Sequence, residues 1–134
     1  VGTAGLDLTG ALLGRRRVVL LDAAKAAGEP GALVRFDREA LLAARTPGPR
    51  LTPHEPGVRD AMQVAALAGE LPDEALLLGC VPQAMEMGFE LSAPVAAAVE
   101  RAAAEVVAVA RSWGCTVEPT GNAPDCAWWR PLVA

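Results

Sequence analysis

The 134-residue chain has one histidine and three cysteines, and its 12 Lys and Arg are outnumbered by 16 Asp and Glu, giving a formal net charge of −4. It carries no Lys/Arg stripe to neutralise phosphates, which sets nucleic acid aside as a partner. Its one basic run, Arg15, Arg16 and Arg17, precedes an apolar stretch and reads as a solvated loop. No segment approaches the roughly 20 apolar residues that cross a bilayer, and the N-terminal residues lack the charged-then-apolar pattern of a signal peptide. A cytoplasmic protein without membrane contact is expected. Cys80, Cys115 and Cys126 leave one thiol over however they pair, which in a reducing compartment predicts free thiols. Neither G-x-G-x-x-G nor G-x-x-x-x-G-K occurs, so phosphate-cradling loops are absent. No Gly-x-Ser-x-Gly elbow offers a serine nucleophile, and Cys80 lies within an apolar run that suits a small buried hydrophobe.

What is present is a 52% hydrophobic chain with a pI near 5.0, enough for one globular core and too short for two. Leu6 to Leu13 has a compact helical pattern ended by Gly14. Val18 to Leu21 is a four-residue apolar run ending at Asp22, short enough for a strand buried on both faces. "GEPG" (Gly28 to Gly31) breaks regular structure, and "ALVRF" (Ala32 to Phe36) predicts a second strand. Asp37 is placed to cap a short helix through Ala44. Thr46 to Pro53 is a proline-rich loop.

Beyond that loop, Val58, Ala61, Met62, Ala65 and Ala68 give a helix from Gly57 to Gly69 one buried face. "LLLGCV" (Leu76 to Val81) is a third buried strand. Ser92 as N-cap and Pro94 just inside open a long helix to about Ser112, with Val95, Val99, Ala102, Val106 and Val109 or Ala110 on one face. Strands alternating with helices imply a parallel or mostly parallel sheet between helical layers. Residues 113–134, with two cysteines and all three tryptophans, show no period and read as an irregular tail over the domain formed by residues 1–112. In that tail "AWWRP" (Ala127 to Pro131) suits covering an apolar patch.

In an open α/β sheet ligands bind beyond the carboxyl ends of the strands, and Asp22 stands at such an end. His54 sits in "LTPHEPG" (Leu51 to Gly57), between Pro53 and Pro56, which restrict the backbone and so the directions open to the imidazole. A carboxylate and an imidazole suit a borderline metal such as zinc or nickel, and a third ligand is wanted. Glu55 adjoins His54 in sequence and is the nearest general-base candidate, while spacing prefers none of Asp7, Glu29 and Asp60.

Four ordered segments, "GTAGLDL" (Gly2 to Leu8), "VVLLDAAKAAGEPG" (Val18 to Gly31), "LTPHEPGVRDAMQVAALAGELPDEALLLGCVP" (Leu51 to Pro82) and "MEMGFELSAPVAAAV" (Met85 to Val99), together resemble the hydrogenase maturation endopeptidases. These trim the C-terminus of the large subunit of [NiFe] hydrogenases, and the resemblance covers roughly residues 2 to 112. It implies an α/β fold, a three-layer α/β/α sandwich around a twisted, mostly parallel sheet. It also implies a metal site of a Glu, an Asp and a His, of which Asp22 and His54 match the last two. In the family the Glu belongs to an N-terminal element with a "GxGN" signature that precedes the "GTxGL" motif, so on this reading the first strand, its helix and one ligand are missing from the chain. The implied partner is the hydrogenase large-subunit precursor, which carries the nickel, and the implied state is a monomer. The alternative is a catalytically incomplete fragment or a non-catalytic module that binds the precursor.

Overall fold

Three apolar runs become the strands of one sheet in the computed structural model of the protein, which describes residues 5–43, 57–85, 90–119 and 121. These are β1 (Arg17–Ala23), β2 (Leu33–Asp37) and β3 (Glu74–Cys80), in the order β1-β3-β2. Glu74 N–H donates to Arg16 O (3.1 Å) at one end and Ala24 N–H to Cys80 O (2.9 Å) at the other, so β1 and β3 are parallel. β2 begins beside the end of β3, where Gly31 N–H donates to Val81 O (2.8 Å) and Val81 N–H to Ala32 O (2.9 Å), and it runs back antiparallel. The β1–β2 connection, residues 24–32, is too short for the crossover that a parallel strand needs. The α/β expectation holds, and the described sheet is mixed.

The helices are α1 (Gly5–Leu12), α2 (Arg38–Ala43), α3 (Val58–Leu67) and α4 (Ala93–Ser112). The α1 range fits the sequence pattern, with Gly14 in the left-handed region (φ 68°) just beyond it. Asp37 caps α2 as expected, its Oδ1 accepting the Ala40 N–H at 2.8 Å. α3 starts after Gly57, whose N–H donates to Asp60 Oδ2 at 3.1 Å. None of the described helices is long and apolar enough to cross a membrane.

The chain divides into two compact units, one of Val1–Asp22 with Val34–Gly79 and the other of Ala23–Leu33 with Cys80–Ala134. In the first, Leu12, Leu41, Ala61, Met62, Ala65 and Ala75 form a buried cluster, with Val18, Leu20, Phe36 and Leu77 packed against it. The small side chains of α3 let that helix approach closely, and burial of residues such as Leu12 and Met62, both 0% exposed, contributes roughly 1.5–3 kcal/mol each. In β3 Leu76 and Leu78 are buried as well as Ala75, so both faces of the central strand are covered, as the layered reading requires.

In the second unit α4 buries Ala98 and Val109 and half-buries Val95, Ala102 and Val106, while Val99 is exposed. The inward stripe therefore passes through Ala98, not Val99, because a 3-4 alternation of steps from Val95 follows the helix period.

Arg15, Arg16 and Arg17 are all exposed, as the solvated reading of the basic run requires, although Arg17 stands in β1 and not in a loop. Arg17 opens β1 and its Nε donates to Glu74 Oε1 at 2.8 Å, and Arg16 Nε lies 3.8 Å from Asp73 Oδ2. The run thus ties the beginnings of the two parallel strands together.

Candidate functional site

Asp22 is the penultimate residue of β1 and is exposed. Side chains alternate along a strand, so Asp22 shares a face with Val18 and Leu20, which pack against the α1–α3 cluster. Val18 and Leu20 therefore half-bury against the helices, and the strand delivers the carboxylate on the same side, beyond them. This is the carboxyl end of the parallel pair, with Ala24 bonded to Cys80.

Residues 68–73 join α3 to the beginning of β3, which puts the C-terminal end of α3 at the amino edge of the sheet. His54 precedes Gly57, the N-cap of α3, by three residues in sequence. His54 and Glu55 lie outside the described residues, as does the side chain of Asp7.

The remaining candidates separate clearly. Asp60 accepts the Gly57 N–H and so secures the start of α3, while Glu29 is exposed, its carbonyl accepting the Ala32 N–H in a turn. Cys80 ends β3 half-buried, with Sγ 3.9 Å from Val81 O, and Cys115 is exposed; both are free thiols. Cys126, Trp128 and Trp129 lie outside the described residues. Among the described residues no group of three or more His, Cys, Asp and Glu side chains could hold a metal ion. The donor types in play, a carboxylate and an imidazole, are those that nickel accepts.

Two features escaped the sequence reading. Gly31, read there only as a breaker of regular structure, bonds through both of its backbone groups, to Val81 and to the Arg101 side chain. Arg59, in the first turn of α3, has a buried Nε with no hydrogen-bond partner, in a position where the helix dipole disfavours a cation. A proline followed by glycine announces the turn, but nothing local announces a partner 70 residues away.

The family model described as hydrogenase maturation protease matches residues 1–109. The hydrogenase 2 maturation protease of Escherichia coli (strain K12) is 29% identical over 119 residues, covering 88% of this chain and 71% of that protein. The hydrogenase expression/formation protein HupD of Rhodobacter capsulatus is 32% identical over 120 residues, covering 87% of this chain and 55% of its own length. Among solved structures, the hydrogenase maturating endopeptidase HybD from E. coli superposes with a TM-score of 0.75 at 27% identity, over 90% of this chain and 74% of that one.

Proposed function

The chain belongs to the hydrogenase maturation protease family, a family of endopeptidases, and from that premise we propose that it removes the C-terminal extension of a [NiFe] hydrogenase large-subunit precursor. Asp22 and His54 contact the nickel already inserted in that precursor. Nickel belongs to the substrate here and licenses the cut: it places a Lewis acid beside the scissile bond. The observation that carries this reading is the position of Asp22, an exposed carboxylate at the carboxyl end of two parallel strands, where α/β folds bind ligands. On this reading the protein acts in the cytoplasm as a monomer.

The test is incubation of the purified chain with nickel-loaded precursor, with the released C-terminal peptide identified by mass spectrometry. We expect cleavage by the wild type and its loss, by about a hundredfold or more, in Asp22→Asn and His54→Ala, since each removes a group that orients the reacting centre. Retention of full cleavage by both variants overturns the assignment. Precursor binding without cleavage by the wild type supports a non-catalytic binding module instead.

A further inference from the structure

The connection that follows Asp22 is fastened at both ends to adjacent residues of one strand end. Ala24 N–H donates to Cys80 O (2.9 Å) and Gly31 N–H to Val81 O (2.8 Å). Glu29, Pro30, Gly31 and Ala32 form a type II turn: Ala32 N–H donates to Glu29 O (2.9 Å), and Gly31 has φ 83° at the position where that turn demands a left-handed residue. Gly31 and Ala32 together face Val81, a bulge led by glycine. The loop also folds onto itself, since a Cβ on Gly28 would stand 3.2 Å from Ala32 Cβ and 3.8 Å from Val81 Cγ2. A short loop with adjoining ends and internal packing is an Ω-type element.

Its own side chains cannot hold it by burial. From Ala23 to Gly31 it contains alanine, glycine, one lysine, one glutamate and one proline, with no large apolar residue. The fastening comes from α4. Arg101 Nη2 donates to Gly31 O at 2.8 Å, a bond strengthened by the charge on its donor. The turn also rests directly on the first turn of that helix, where a Cβ on Gly31 would lie 2.8 Å from Pro94 C. Gly31 is thus held by the sheet through its N–H and by α4 through its carbonyl. Lys25, Ala27, Glu29 and Pro30 remain exposed.

We propose that Arg101 is a positioning residue for the cleavage reaction: through Gly31 it holds the loop of residues 24–31, which follows Asp22 in the chain, as a preformed wall that the precursor polypeptide contacts. A wall fixed in advance costs no ordering when the polypeptide binds. This inference rests on the endopeptidase reading, and its test separates the two.

Arg101→Met keeps the aliphatic stem and removes the donor. Arg111→Met, on the same helix, makes the same chemical change and removes a longer, exposed bond to Val117 O (3.4 Å), and serves as control. Hydrogen exchange at Gly31 and Val81, thermal midpoints, and kcat and KM on nickel-loaded precursor are measured for both. We expect Arg101→Met to exchange at these amides at least about tenfold faster and to lose about ten- to a hundredfold in kcat/KM, mainly through KM. Arg111→Met should match its thermal midpoint with wild-type kinetics, and Arg101→Lys should recover part of the loss. Unchanged kinetics in Arg101→Met, or unchanged exchange at both amides, overturns the proposal. If the wild-type chain does not cleave, the endopeptidase reading fails by itself. Affinity for the precursor's C-terminal peptide then decides the positioning role, and equal affinities of wild type and Arg101→Met overturn it.

Discussion

β1 and β3 are near twins in sequence and opposites in surroundings. "RVVLLDA" and "EALLLGC" each carry a run of large aliphatic residues, and the two strands lie side by side in parallel. Yet in β3 Ala75, Leu76, Leu78 and Gly79 are buried, whereas no residue of β1 is, and Leu21 is 61% exposed. The difference comes from the strand order: β3 lies between two partners, while β1 stands at the edge of the described sheet. The central strand supplies stability. The edge strand supplies an end on which a carboxylate can meet a ligand.

That division of labour is open to mutation. Leu78→Ala should be the most damaging change in either strand, costing about 2–5 kcal/mol by equilibrium unfolding, because truncation of a residue that is 2% exposed leaves a cavity. A loss below about 1 kcal/mol would mean that β3 is not the packed centre. Replacing Arg17 by Ala removes the link between the strand beginnings, a pair whose side chains are 38% and 44% exposed, and should cost roughly 0.2–1 kcal/mol. That cost should shrink in high salt, and a salt-independent cost would assign the effect to packing of the arginine stem. Leu21→Ala should cost least, within about 0.5 kcal/mol, despite the same chemical change as in Leu78→Ala. An equal cost at both positions would erase the contrast between edge and centre.

The contrast also marks how far the residues alone could lead. Helix spans and the position of Asp22 were legible, because apolar spacing and a charge at the end of an apolar run are local facts, although the inward face of α4 runs through Ala98 and not Val99. So was the Asp37 cap, whose Oδ1 reaches the Ala40 N–H. Ser92 looked equivalent and stands at the N-cap of α4, but its Oγ is buried without a partner; Pro94 removes one of the two N–H groups that a cap can bind, and the other, on Val95, is not bonded by it. Centre and edge could not be told apart, since a strand's own residues do not encode which neighbours it pairs with. The antiparallel return of β2 was hidden for the same reason, and the Arg101–Gly31 bond because it spans the sequence. The proposal that Asp22 is half of a site came only from pairing it with His54 and from the ordered segments around them.

The central claim is that Asp22 and His54 read the nickel carried by the precursor. Its most direct test compares cleavage of nickel-loaded and nickel-free precursor by the wild type, Asp22→Asn and His54→Ala under identical conditions. The account predicts a C-terminal peptide released only from the nickel-loaded precursor and only by the wild type. Equal cleavage of both precursor forms, or undiminished cleavage by either variant, would contradict it.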